Sequence, residues 1–230
     1  MSVNKRKVLS PRLALMALVI TLLAYLLGWS SFFQIKSVEI NGAPTAAVQA
    51  EIEKRSELAV GEQLARVNPQ SVARRIEKLT WIKDVKISRN WLKGAVTIEI
   101  NPRQPLAFFN SDDVPGQTID RDGQLFRLPG YSNPDLALIS AKSPESALQA
   151  NELFMQLPES FRSQITSMVA TSTNTFTLMS VIDGREIRIR WGDSQDVELK
   201  ISVINKLLKL PENKEIKVID VVAPHAPIVK

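Results

Sequence analysis

The sequence predicts an α+β protein: a single transmembrane helix, a β-α-α-β-β module, and a mostly antiparallel β domain with helices. Three observations carry this expectation. Leu13 to Phe33 are 21 consecutive positions without a charged side chain. Beyond them, apolar residues recur first every three or four positions and then every second position, the periods of helix and strand. Turn-forming pairs, Asn41-Gly42, Asp122-Gly123 and Asp183-Gly184, punctuate the alternating segments.

The uncharged run makes a helix of roughly 30 Å, the thickness of a bilayer's hydrocarbon core. Lys5, Arg6, Lys7 and Arg12 precede it with no acid, and Trp29, Phe32 and Phe33 close its far end as interfacial anchors. This predicts a cytoplasmic tail over residues 1–12 and export of everything after residue 33. A cleaved signal peptide fits less well, because its apolar stretch is shorter and ends in a small-x-small site. Of the net charge of +5, the first 33 residues supply +4, so the exported part is nearly neutral. It therefore lacks the basic surplus expected of a nucleic-acid binder. With no cysteine, the exported part depends on its core rather than on disulfides.

The first exported segment, FQIKSVEING, alternates as a strand. Pro44 opens a helix with Val48 and Ile52 on one face, ending near Leu58 to Gly61. Asn68-Pro69 caps a second helix carrying Val72, Ile76 and Leu79. After Trp81-Ile82 the period changes to two, and Val85, Ile87, Val96, Ile98 and Ile100 form a hairpin about Asn90 to Gly94. Pro102 and Pro105 close this module, assigned to residues 34–105. A β domain follows over 106–223, with a hairpin in TIDRDGQLF, a loop over 128–144 and a helix over Glu145 to Leu157. Strands are expected over Ile165 to Thr171, Phe176 to Ile182 and Ile187 to Trp191. Ser194 then caps a helix bearing Val197, Ile201, Ile204 and Leu208. A last strand covers Ile216 to Val222, and residues 224–230 are left as a tail.

Residue chemistry argues against catalysis. With one histidine, His225 in a Pro-rich segment, and no cysteine, the common zinc sites and histidine-dependent triads cannot be assembled. The exported part contains no Ser-x-x-Lys, the arrangement that activates a transpeptidase serine. Asp120 and Asp122 begin like a calcium loop, but Tyr131 and Asn133 stand where its closing glutamate belongs. Asp112-Asp113 reads as a solvated connector, and the scattered glycines form no phosphate loop. No cofactor, metal or small-molecule substrate is expected. A scaffold that presents surfaces to other proteins remains.

The anchor followed by FQIKSVEINGA, and the stretch RRIEKLTWIKDVKISRNWLKGAVTIEINPRQPLAFF, resemble the POTRA module of the bacterial cell-division family FtsQ, called DivIB in Gram-positive bacteria. IDRDGQLF, DGREIRIRWGD, VELKISVINKLL and IKVIDV are similar to that family's β domain. The chain departs from it at Asp220-Val221-Val222-Ala223, where the family often has Asp-Leu-Arg-Tyr. The resemblance implies a non-catalytic scaffold at the division septum that binds partners of the FtsB/DivIC and FtsL type and connects early components to septal wall synthases. A POTRA-bearing component of a transport or secretion system is the alternative. The segment Lys214, Glu215, Ile216, Lys217, Val218, Ile219, Asp220, Val221, Val222 is the candidate partner-binding strand, expected at a sheet edge where unpaired amides accept a partner's strand. Trp81 and Trp91 are expected to be buried rather than to contact partners.

Overall fold

The computed structural model describes residues 11–110 and 117–230. Lys5, Arg6, Lys7 and the connector Asp112-Asp113 lie outside the described residues. The chain divides into two compact units at Pro102 and Arg103.

In the first unit, α1 spans Pro11–Trp29, 19 residues. It ends earlier than the uncharged run: Ser30 accepts a hydrogen bond from Phe32 N and turns the chain into a short 3-10 segment, Ser31–Phe33. Among the described residues no helix is long and apolar enough to cross a membrane. The expected 13–33 helix is thus corrected to one whose uncharged part stops at Trp29, because a serine that caps the next turn competes with helix continuation.

The module after α1 comprises β1 (Ser37–Asn41), α2 (Ala46–Ser56), α3 (Pro69–Ile76), β2 (Ile82–Asn90) and β3 (Ala95–Pro102). Thr45, one residue beyond the expected opening at Pro44, caps α2 by accepting from Val48 N, and Asn68 caps α3 by accepting from Ser71 N. Pro69 at the first helical position loses no bond there. β3 is central, parallel to β1 and antiparallel to β2. Val48 and Ile52 of α2 and Val72 and Ile76 of α3 are buried, as are Trp81, Val96, Ile98 and Ile100. Arg75 donates to the carbonyls of Arg55 and Ser56, satisfying the last turn of α2. Gly42 has φ +85°, and a Cβ there would sit 2.1 Å from the Ile100 carbonyl oxygen, so β1 can leave the sheet only through glycine.

The second unit holds β4 (Ala107–Asn110), β5 (Gln117–Ile119), β6 (Leu125–Phe126), β7 (Leu138–Ala141), α4 (Pro144–Gln156), α5 (Glu159–Arg162), β8 (Ile165–Ser172), β9 (Thr175–Ile182), β10 (Arg185–Gly192), α6 (Val197–Lys209), β11 (Val218–Asp220) and β12 (Ile228–Val229). One nine-stranded sheet runs β12-β11-β10-β9-β8-β7-β4-β5-β6. β8, β9 and β10 form the expected antiparallel meander, and Asp183-Gly184 turns with φ of +50° and +74°. β4 with β7, β7 with β8, and β10 with β11 are parallel. α4 packs on β7 and β8. Phe109, Met168, Phe176, Leu178, Ile189, Trp191 and Ile204 are among the fully buried core residues.

Three local expectations are corrected by the structure. The 128–144 loop contains β7, a four-residue strand whose sequence shows alternation too brief to separate from a loop. Ser194 does not cap α6: its N-cap is Asp196 in the left-handed region, without a side-chain bond. The 224–230 tail contributes β12, whose pairing with β11 comes from tertiary contact rather than from any local pattern.

Candidate partner-binding surface

The Lys214–Val222 segment comes after a 3-10 turn at Pro211–Asn213 and enters the sheet as β11. β10 has Ile187, Ile189 and Trp191 buried and Glu186, Arg188 and Arg190 exposed, so its neighbour inherits a buried and an open face. In β11 and its flanks, Ile216, Ile219 and Val221 are buried, Val218 and Asp220 half-buried, and Lys214, Glu215, Lys217 and Val222 exposed. Arg190 pairs with Asp220 at 2.6 Å on the open face. The Asp220 carboxylate also accepts from Val222 N at 3.1 Å, turning the chain at the end of the strand. Gly192 opposes this point, and a Cβ there would lie 3.3 Å from Val222 Cα.

The strand is not the sheet edge. On its inner side Arg188 N donates to Lys217 O at 2.8 Å and Val221 N to Arg190 O at 2.9 Å. On its outer side Lys217 N and Val218 N donate to Lys230 O at 2.9 and 3.0 Å, and Lys230 N donates back to Val218 O at 3.0 Å. Ile219 faces Val229 and Asp220 faces Ile228 across this two-residue ladder. The edge on this side is therefore β12, with Ile228 56 % exposed, and the expectation of an uncovered Lys214–Val222 edge is corrected. This cover could not be read from the sequence, since two residues in APIVK show no periodicity.

Other candidates settle into structural roles. Asp120, buried, pairs with Arg103 at 2.7 Å and accepts from the amides of Asp122 and Gln124, which fastens the β5–β6 turn. Trp81 is buried; Trp91 is half-buried, edge-on to Phe33 with Arg89 above its ring. Arg12 lies exposed in the first turn of α1, and His225 is exposed in the turn before β12. Among the described residues no group of three or more His, Asp or Glu is placed to hold a metal. At the far end of β10, Lys200 of α6 is 1 % exposed and donates to Asp193 Oδ1 at 2.9 Å and Asp193 O at 3.0 Å beneath the Trp191 ring. The Lys200 ammonium, opposed by burial and aided by Gln195 N, holds the Asp193 carboxyl below its ordinary range.

The family model for the FtsQ-type POTRA domain matches residues 33–103, and that for the C-terminal region of cell division protein FtsQ/DivIB matches residues 107–221. Cell division protein FtsQ of Salinibacter ruber is 27 % identical over 124 residues, 53 % of this chain and 48 % of that protein. The chain thus spans about half the length of that relative. Cell division protein FtsQ of Corynebacterium glutamicum is 24 % identical over 212 residues, 86 % of this chain and 90 % of that protein. With matching family models laid end to end over the two structural units, the chain belongs to the FtsQ/DivIB family of cell-division proteins.

Proposed function

We propose that this chain is a non-catalytic scaffold of the division machinery, held by α1 in the cytoplasmic membrane with its N-terminal tail in the cytoplasm. Its two units work outside, binding membrane-anchored partners of the FtsB/DivIC and FtsL type and linking early components to septal wall synthesis. Membrane placement is supported by α1 itself: every described side chain from Pro11 to Leu26 is exposed, and none after Arg12 is charged. Exposing Leu15, Leu18 and Leu22 to water would be unfavourable, whereas lipid accepts them. The helix is roughly 28 Å long, and its uncharged part roughly 25 Å. A small local thinning of the bilayer, the snorkelling of Arg12 and the belt of Trp29 and Phe32 accommodate that shortfall.

The observation that carries partner binding is the thinness of the cover on β11. Nine residues, Lys214 to Val222, lie beside a strand of two. A partner strand that displaces β12 satisfies the same outward amides and continues along the flanks, where β12 offers no groups. Backbone pairing of this kind tolerates the departure at Asp220 to Ala223. Val218→Pro tests it, because Val218 N points outward to Lys230 O while Val221 N points inward to Arg190 O. Made in a chain shortened by residues 224–230, where no β12 loses the same bond, the substitution should lower capture of the partner's soluble segment at least about tenfold, since a lost bond and the proline ring each weaken pairing by about 1 kcal/mol or more. Unchanged affinity removes this surface from the reading. A fluorescent fusion that fails to concentrate at the septum removes the scaffold role.

A further inference from the structure

The end of the first unit next to α1 carries features used by neither strand pairing nor core packing. Among the described residues 34–102, the large apolar side chains left exposed are Val60, 71 % exposed, and Leu92, 84 % exposed. Both sit on loops fastened to the segment by which the chain leaves α1. Gly61 N donates to Ile35 O and Ile35 N to Glu62 O, both at 2.8 Å, so the loop bearing Val60 is stitched to residue 35. From the β2–β3 turn bearing Leu92, Gly94 O accepts from Lys36 N at 2.7 Å. That turn lies so close that a Cβ on Gly94 would come within 2.7 Å of Gln34 O. Phe33 stands edge-on to Trp91 at 6.1 Å. The two apolar tips therefore flank the exit of α1, where Trp29 and Phe32 are 66 % and 58 % exposed.

Cations collect at the same level. The Arg66 guanidinium lies 5.6 Å from the Trp29 ring and donates to Gly28 O, the Lys36 ammonium lies 5.7 Å from the Phe32 ring, and Lys93 is exposed beside Leu92. Between Trp29 and Arg66 opens a cleft of about 510 Å³ lined also by Gly28, Gly61, Glu62 and Gln63. Gln63 is 8 % exposed, and its side-chain oxygen has no hydrogen-bond partner, a buried acceptor that a headgroup hydroxyl or ammonium would satisfy.

We infer that this face of the module docks on the headgroup layer of the bilayer that holds α1, fixing the module's orientation on the membrane rather than leaving it on a free tether. Val60 and Leu92 enter the boundary of the acyl chains, the aromatic side chains occupy the interfacial belt, and Lys36, Arg66 and Lys93 meet lipid phosphates. The occupant is lipid because the face continues the apolar surface of α1 and combines exposed aliphatic tips with cations suited to phosphate. The inference rests on the placement of α1 proposed above.

The chain has no cysteine, so single cysteines replacing Leu22, Val60, Leu92 and Lys78 can each carry an environment-sensitive fluorophore. Lys78 precedes the opposite end of β2 from Leu92. The full chain is reconstituted in phosphatidylcholine vesicles containing phosphatidylglycerol and a lipid with a quencher high on its acyl chain. Labels at positions 22, 60 and 92 should be quenched, and the label at 78 should not. Lys36→Gln and Lys93→Gln should each lower the docked-to-undocked ratio at position 92 about fivefold. Quenching at 22 with an aqueous signal at 60 or 92 overturns the docking and leaves the anchor standing. An unquenched label at 22 overturns both.

Discussion

Deleting residues 224–230 removes β12 and leaves the outer amides of β11 open. The bonds lost include Lys217 N and Val218 N donating to one carbonyl, Lys230 O, and Lys230 N donating to Val218 O, beside the Ile219–Val229 and Asp220–Ile228 pairs of the ladder itself. At a net of about 1 kcal/mol per bond, and less for the shared acceptor, these contribute about 2–3 kcal/mol. Burying part of Val229 adds about 1 kcal/mol. Against this stands the ordering of an exposed stretch, about 1 kcal/mol for each of the two or three residues held in the strand. With the Asp220–Ile228 pair added, the cover on β11 is worth at least about 1 kcal/mol, and the uncovered form is a minor species of the intact chain. Because a partner that binds only the uncovered form has its affinity reduced by that fraction, the deletion should tighten binding at least about fivefold. Titration of intact and shortened chains with the partner's soluble segment, followed by calorimetry, reads this directly, with circular dichroism reporting that the second unit still folds. Equal or weaker binding after the deletion would refute displacement and move the contact to the outer side of β12.

Asp193→Ala leaves Lys200 buried with one carbonyl and the Trp191 face for its charge. Breaking a buried pair costs about 3–5 kcal/mol, but Asp193 is 40 % exposed, so after solvent screening a loss of about 2 kcal/mol is expected in urea unfolding of the second unit. Lys200→Met should be nearly neutral there, because a chain of similar volume brings no charge to solvate. Since the folded Asp193 carboxyl titrates below its ordinary range, its stabilising contribution is complete above the unfolded carboxylate pKa and fades as pH falls through the folded value. Asp193→Asn should therefore flatten the acid limb of the stability profile measured below about pH 4. Gly42→Ala should destabilise the first unit by about 2 kcal/mol or more, seen as a lowered Tm, because the new Cβ meets the Ile100 carbonyl and φ is positive. Ile204→Ala, emptying a fully buried position on α6, should lower the stability of the second unit by about 2–5 kcal/mol.

Elements with strong local chemistry are legible from residues alone. Asn68-Pro69 cannot easily do anything but start a helix, and Asp183-Gly184 accepts the positive φ that a tight hairpin needs, so both appear where expected. The buried strands β8 to β10 alternate over eight residues each, long enough for period two to stand out. β7 and β12, of four and two residues, fall below that threshold. The cap of α6 escapes a local reading because Ser194 has suitable chemistry, while the adjacent Asp193 is drawn to Lys200, seven residues away in sequence. Gln63 and its unpaired oxygen carry no signal in the sequence, since its burial depends on a loop folded against the exit of α1.

By itself the sequence determined the order of the longer helices and strands, the uncharged helix ahead of them, the nearly neutral composition of residues 34–230 and a content of one histidine and no cysteine. These are local properties, set by side-chain period, cap and turn chemistry, and charge. Only the tertiary structure decided that β11 is covered, that Lys200 lies beneath Trp191, and that the loops bearing Val60 and Leu92 are both bonded to the segment by which the chain leaves α1. Each depends on which backbone amides find partners from distant parts of the chain, and a short strand or an exposed loop has too few local contacts to announce its neighbour.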